Sequence, residues 1–321
     1  MKEEDAADVD VSIVIVSWNS ARWIGGCVAS LRAAAGSLEW EAFVWDNASS
    51  DASANIARDQ AGRGVEIIAS PLNRGFAGAI NDLLPRLRGR HVFLLNPDCD
   101  PAPGSIELLS RELDRRGSAG VVPLLVSRDG VPQRDFQLRR FPTLRSILAE
   151  TLLMDRVHPG NRASSHYRYR DLDITTPQAI EQPAAAALML DRKVMDRIGL
   201  LDEQFAPAWF EDVDYCRRIF AAGESLTLIP EARVIHFGGS SVETLGFDRF
   251  LPLWYRNLFR YSRKWLGKGR SEAVRWAIVV GMLLRIGAVK LGIRTEQVSR
   301  DASLRGYREV LRMAWRRWDA K

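Results

Sequence analysis

The chain is poor in cysteine and histidine, with three Cys and four His among 321 residues. Cys27, Cys99 and Cys216 stand far apart, without a CxxC pair or zinc-type spacing. That argues against a disulfide framework and a structural zinc site, and for a reduced, cytosolic setting. No run of about 18 uninterrupted apolar residues occurs, which argues against a conventional membrane-spanning helix. The acidic start, residues 1–10, lacks the apolar core of a secretory signal and reads as a flexible tail. The first strand-to-helix turn carries neither a P-loop nor G-x-G-x-x-G, which argues against a kinase-type NTPase or a dinucleotide dehydrogenase. Gly75 and Gly78 alone read as packing glycines.

What is present is ample core material, 46% apolar against 26% charged, enough for one large domain with an appendage. The net charge of +5 is unevenly spread. Residues 1–248 carry 27 Lys+Arg against 35 Asp+Glu, whereas 249–321 carry 18 against 5, so a basic tail follows an acidic body. Such a tail implies an anionic partner surface, nucleic acid or phospholipid. Its basic residues are interleaved with apolar helical sequence and no nucleic-acid reading motif accompanies them, so phospholipid is favoured. Residues 273–293, with Trp276, Ile278, Val279, Val280, Met282, Leu283, Leu284, Ile286, Val289, Leu291 and Ile293 against Arg275, Arg285 and Lys290, suit a helix lying in a membrane interface. The alternative is a core helix packed on the main domain.

Val11–Val16, Glu41–Trp45, Val65–Ala69 and His91–Leu95 are short runs rich in β-branched and apolar residues, and each reads as a strand. Helical sequence separates them, so the expected fold is α/β, a mostly parallel sheet flanked by helices. Gln182–Leu190 and Ser225–Ile229 read as further strands, while 117–175 is less regular and reads as an acceptor-side insertion with basic Arg134, Arg139 and Arg140. Polar residues gather where strands end: Ser17-Trp18-Asn19, Asp46-Asn47, Asn73-Arg74-Gly75 and Asn96-Pro97-Asp98-Cys99-Asp100. Ligands of such sheets bind beyond the carboxyl ends of the strands. Asn19 or Ser20 is placed to cap the helix after the first strand.

Two acidic groups carry the chemistry. Asp98 and Asp100 form D-x-D just after a strand, a pattern that can hold a hard divalent cation, and through it a diphosphate. Trp209-Phe210-Glu211-Asp212-Val213-Asp214 opens a short helix closed by Gly223. Carboxylates at a helix N-terminus are stabilised as anions, and one of them can serve as a base.

The stretches VSIVIVSWN (11–19), WDNASSD (45–51), NRGFAGAIN (73–81), LLNPDCD (94–100), FEDVD (210–214) and VIHFGGSS (234–241) together resemble the family 2 glycosyltransferases of GT-A fold, and among them the rhamnosyltransferase-like members. The resemblance covers about 230 residues and stops near 250, before the basic amphipathic helical tail. It implies a nucleotide-sugar donor, a divalent metal (Mg2+ or Mn2+) and inversion at the anomeric carbon. By the same resemblance Ser17, Asn19, Asp46, Asn73, Arg74 and Asn96 belong to the donor site, with Asp46 accepting the base N3–H and Arg74 near the phosphates. Asp98 would ligate the metal, joined by Asp100 and His236, and Asn96 stands where the family's usual D-x-D has its first acid. Asp212 would be the general base and Glu211 its neighbour in catalysis, with Trp209 and Asp214 on the acceptor. His91, His158 and His166 have no comparable context. The expected acceptor is a lipid-linked bacterial glycan, which places the protein at the inner face of the plasma membrane. Donors compatible with the same residues are dTDP-L-rhamnose, a UDP-hexose and UDP-galactofuranose. A catalytically silent nucleotide-sugar-binding scaffold and a nucleotidyltransferase are the alternatives from other classes.

Overall fold

The computed structural model describes residues 9–158, 160–238, 244–293, 298–316 and 318. Most of the acidic start and the Gly239-Ser240-Ser241 stretch lie outside the described residues. The first half of the chain runs β1 (Val11–Ser17), α1 (Ile24–Ala35), β2 (Trp40–Asp46), α2 (Ser53–Gln60), β3 (Val65–Ala69), α3 (Gly75–Leu83), β4 (His91–Leu95), β5 (Cys99–Pro101), α4 (Ser105–Arg116), β6 (Gly120–Val126), α5 (Arg134–Gln137), β7 (Leu138–Arg139), α6 (Leu144–Thr151), α7 (Met154–Val157) and α8 (Arg162–Tyr167). Then come β8 (Gln178–Ile180), β9 (Gln182–Pro183), β10 (Ala187–Asp191), α9 (Arg192–Ile198), α10 (Glu211–Ala221), β11 (Leu226–His236), α11 (Phe247–Leu266), α12 (Lys268–Lys290) and α13 (Arg300–Trp315).

Two compact units result, one of Met1–Arg139, Leu172–Pro207 and Glu211–Gly238, the other of Arg140–Asp171, Ala208–Phe210 and Gly239–Lys321. Of the irregular stretch 117–175, Gly120–Val126 is a strand of the main sheet, and only Arg140–Asp171 leaves the first unit.

In the first unit the sheet order is β3-β2-β1-β4-β10-β6-β11-β5, with β8 beside β11. The β3-β2-β1-β4 half is parallel, as expected, while β10 runs antiparallel to both β4 and β6. The chain winds outward from β1 through β2 to β3, then returns to β4 on β1's other side. The carboxyl ends of β1 and β4 therefore flank the point where the winding direction reverses, the crevice in which ligands of open α/β sheets bind. Strands buried on both faces need continuous apolar sequence. Val11, Ile13 and Ile15 of β1 join Phe93 and Leu95 of β4 in a core covered by Ile24, Cys27 and Leu31 of α1 and Ile106, Leu109 and Leu113 of α4.

The second unit is helical. α11, α12 and α13 pack on one another, and α6 lies against α12. α12 is apolar on two sides. Val274, Ile278 and Met282 are buried, whereas Trp276, Val280, Leu283 and Leu284 are exposed. Core packing and a largely exposed apolar face thus coexist on the helix. Arg285 is buried, its guanidinium donating to Thr151 O at 2.6 Å and to Gly281 O at 3.2 Å. At Gly281 a Cβ would stand 2.3 Å from Thr151 O, so α6 approaches α12 only because that side chain is missing. Gly281→Ala must push two backbones apart, and the expected loss is about 1–3 kcal/mol in a denaturant titration.

Candidate active site

Ser17 and Asp46 end adjacent parallel strands at the same register position. Both are buried, and Ser17 Oγ and Asp46 Oδ1 have no hydrogen-bond partner among the described residues. Asp46 Oδ2 accepts from Ser49 N at 3.2 Å, which turns the other oxygen free. An unpaired buried carboxylate oxygen costs free energy until a donor meets it, so this pair is a candidate ligand subsite.

Asn19 does not cap α1. Its backbone lies at φ 49°, and its Oδ1 accepts from Ser50 N at 2.8 Å, tying the β1 loop to the β2 loop. Asn47, beside Asp46, is a residue that sequence reasoning did not single out. It is buried, accepts from Arg74 N at 2.6 Å and donates to Gly75 O at 3.2 Å. Gly75, at φ 71°, passes so near Pro207 that a Cβ would stand 2.8 Å from its carbonyl oxygen. Asn73 Oδ1 accepts from Gly75 N at 2.9 Å. The Arg74 guanidinium, expected near the phosphates, is engaged instead by Asp82 at 2.9 Å and by Glu203 at 3.7 Å.

After β4, Asn96 N donates to Ala186 O at 2.8 Å. Asp98 and His236 are both buried, with Asp98 Oδ2 3.7 Å from His236 Nε2. Burial pulls the imidazole below its ordinary range, against the opposing pull of Asp98, so the neutral ring predominates near pH 7. Gln133 grips the histidine from behind. Its Nε2 is 2.7 Å from His236 O, its Oε1 is 2.7 Å from Nδ1, and Phe136 stacks on the ring at 4.5 Å. Cys99 Sγ completes a trio whose ligand atoms lie within 4.8 Å of one another. The thiol is a poor third ligand, because burial pushes it well up, keeping it protonated, and it donates to Ala186 O at 3.3 Å. Two ligands on one ion with bonds of about 2.1 Å can span 3.7 Å, so the Asp98–His236 pair fits a divalent cation. Asp100 is outside the trio. Its carboxylate lies against α1, 3.2 Å from where a Cβ on Gly26 would stand.

The acidic helix start forms as expected, with Glu211, Asp212 and Asp214 in the first turn of α10. Asp212 Oδ2 accepts from Ala185 N at 3.3 Å, and the next carbonyl, Ala186 O, receives Asn96 N and Cys99 Sγ. One short segment thus ties Asp212 to the Asn96–Cys99 loop. Burial raises the Asp212 carboxyl above the usual aspartate range, partly offset by hydrogen bonds from Val213 N and Ala185 N. Glu211 is buried beside it. Asp214, expected on the acceptor, has no exposed surface and is bound to Arg218 at 3.1 Å, which in turn donates to Ile198 O and Leu200 O. Through Arg218 it ties the first turn of α10 to the end of α9. Trp209, also expected on the acceptor, packs edge-on against Phe250 at 4.8 Å within the second unit. Trp209 and Phe210 both have positive φ, 73° and 76°, and buried Asn257 donates to Ala208 O and Trp209 O. Two consecutive left-handed non-glycine residues persist only when their surroundings over-determine them.

A half-parallel sheet with its polar groups at the β1/β4 reversal is the architecture of GT-A glycosyltransferases. The mannosyltransferase PcManGT of Pyrobaculum calidifontis, solved in complex with GDP-Man and Mn2+, superposes with a TM-score of 0.55 at 16% identity, covering 98% of this chain and 88% of that one. Residues 12–193, more than half of the chain, match the family described as glycosyl transferase family 2, and the chain belongs to that family. Among curated relatives, an N-acetylglucosaminyl-diphospho-decaprenol L-rhamnosyltransferase of Mycobacterium tuberculosis is 25% identical over 210 residues, 60% of this chain and 64% of the relative. The succinoglycan biosynthesis protein ExoO of Rhizobium meliloti is 31% identical over 156 residues, 46% of this chain and 44% of its own. The chain thus spans less than two thirds of the length of these curated relatives.

Asn47→Ala removes the amide that joins the Asp46 and Arg74–Gly75 loops and leaves Arg74 N without its acceptor. A loss of roughly 1–3 kcal/mol is expected in a denaturant titration.

Proposed function

We propose that the chain is an inverting glycosyltransferase that moves a sugar, L-rhamnose from dTDP-L-rhamnose in the first instance, to a hydroxyl of a lipid-linked glycan. The observation that carries this reading is the convergence on one rim of the unmet Ser17 and Asp46 oxygens, the Asp98–His236 pair and Asp212. Asp46 Oδ1 suits the N3–H shared by thymine and uracil, so UDP-sugars keep the mechanism and change the donor. The rhamnosyl donor is supported by the decaprenol-linked rhamnosyltransferase among the relatives, which also supports the lipid-linked acceptor.

Asp212 takes the proton of the acceptor hydroxyl while its oxygen attacks the anomeric carbon opposite the diphosphate. The new C–O bond forms as the bond to phosphate breaks, and the electron pair leaves with the nucleotide diphosphate. Glu211 stands beside the base in the same helical turn. A divalent ion held by Asp98 and His236 would neutralise charge on the departing diphosphate. A nitrogen donor favours Mn2+ over Mg2+, which prefers oxygen.

Attachment to an anionic bilayer through the second unit belongs to the same proposal. No helix among the described residues is long and apolar enough to cross a membrane. The exposed face of α12 continues into a groove of about 390 Å³ shared with α13, where Leu283 and Trp315 lie beside Arg308, Arg312 and Arg316. Apolar surface ringed by cations matches an anionic interface, and residues 249–321 carry too much like charge to favour a second copy.

Asp212→Asn is expected to lower kcat by about 10²–10⁴-fold in a dTDP-rhamnose transfer assay, and unchanged turnover would remove the base. Because the base acts deprotonated, activity falls as pH drops through its pKa. Burial raises that pKa, so the acid limb of the kcat/KM profile lies above the ordinary aspartate range. In thermal-shift titrations, a dTDP-sugar with Mn2+ at 100 times Kd should add about 2.7 kcal/mol, and more than with Mg2+. Absence of any shift with dTDP- and UDP-sugars would favour the silent scaffold. Vesicles containing phosphatidylglycerol should float the wild type and not Trp276→Glu/Leu283→Glu; flotation of both would sink the α12 assignment.

A further inference from the structure

We propose that Gln133 is a positioning residue that fixes the tautomer of His236, holding the proton on Nδ1 and turning the Nε2 lone pair to Asp98. The cation affinity of the Asp98–His236 pair then depends on a side chain that does not touch the ion. The inference rests on the cation reading given above, but the tautomer can be measured without metal, donor or acceptor.

Hydrogen-bond bookkeeping around one amide leads to this conclusion. The backbone oxygen of His236 can only accept, so its 2.7 Å partner on Gln133 is the NH2 group. That fixes the amide orientation and places Oε1 at 2.7 Å from His236 Nδ1. Amide oxygen carries no hydrogen, so the proton in this contact belongs to Nδ1. In a neutral imidazole the other nitrogen then has an open lone pair, and Nε2 is the atom 3.7 Å from the Asp98 carboxylate. Two electron-pair donors facing each other in a buried site repel unless a cation lies between them.

Gln133 is held firmly enough for the task. Its N–H donates to Leu125 O at 2.9 Å, and its carbonyl accepts from Gln137 N at 2.9 Å. Leu125 belongs to β6, which pairs with β11, the strand that His236 ends. Phe136, three residues on, stacks on the imidazole and limits its rotation. Histidines that ligate metal commonly donate their second N–H to an oxygen, which sets ring orientation and basicity.

The test is long-range 1H–15N NMR of the metal-free protein, with His236→Gln assigning the resonance, beside Mn2+ titrations followed by the EPR signal of free ion. Wild type should show protonated Nδ1 and a bare Nε2. Gln133→Met should shift the population towards Nε2–H and raise the Mn2+ Kd by about 10–100-fold, whereas Gln133→Glu, which keeps an acceptor at Nδ1, should hold the wild-type tautomer. A wild-type ring protonated on Nε2 overturns the proposal without any variant. So does a folded Gln133→Met with wild-type tautomer and Kd. A wild type that binds no Mn2+ overturns the cation reading, whatever the tautomer.

Discussion

The position of β1, with a parallel neighbour on each side, governs the first unit. Because β2 and β4 both run alongside β1, their carboxyl ends open on one rim, and the loops that follow converge there whatever their sequences. Burying such a strand on both faces demands an unbroken apolar run and leaves polar residues only at its end. Ser17 and Asp46 occupy those ends, at matched register. β10 then adds a constraint of opposite sense. Running antiparallel to β4, it brings Ala185 and Ala186 to the same rim, where one backbone segment serves both Asp212 and Asn96.

Legibility in sequence followed the range of the forces involved. β1 to β4 were readable because a buried parallel strand is written locally, as a β-branched run ending in polar residues. β6 was not, since Pro123 lies in its middle and proline argues against a central strand. The structure admits it through an irregularity in β11, whose register skips from Ile229 opposite Pro123 to Arg233 opposite Leu124. Arg140–Asp171 could not be assigned to the helical unit from local pattern either, because its packing on α12 turns on the close approach of Thr151 to Gly281.

The site was partly legible for the same reason. Motifs located the loops but not the direction in which each side chain points. Arg74 lies in a stretch that the family resemblance assigns to the donor site, yet its side chain turns to Asp82. Asp214, expected on the acceptor, is instead held by Arg218, four residues on, as a helical ion pair. Gln133 and Asn47 carry no local signature. Each acts by joining segments distant in sequence, about a hundred residues in the case of Gln133 and His236.

The helical unit contains a correction to its own charge count. Arg275 and Arg285 are buried, donating to Ala314 O and Thr151 O, so two cations of the basic tail serve as internal helix clamps. Others are already matched, Arg305 by Asp248 and Arg312 by Glu309. With each free cation near an anionic leaflet contributing about 1 kcal/mol, the two clamps alone would weaken the proposed adsorption by roughly 30-fold relative to the sequence count. Hold on a bilayer would therefore lean on wedged tryptophan and leucine more than on charge, and would survive raised ionic strength better than a polybasic segment of the same composition.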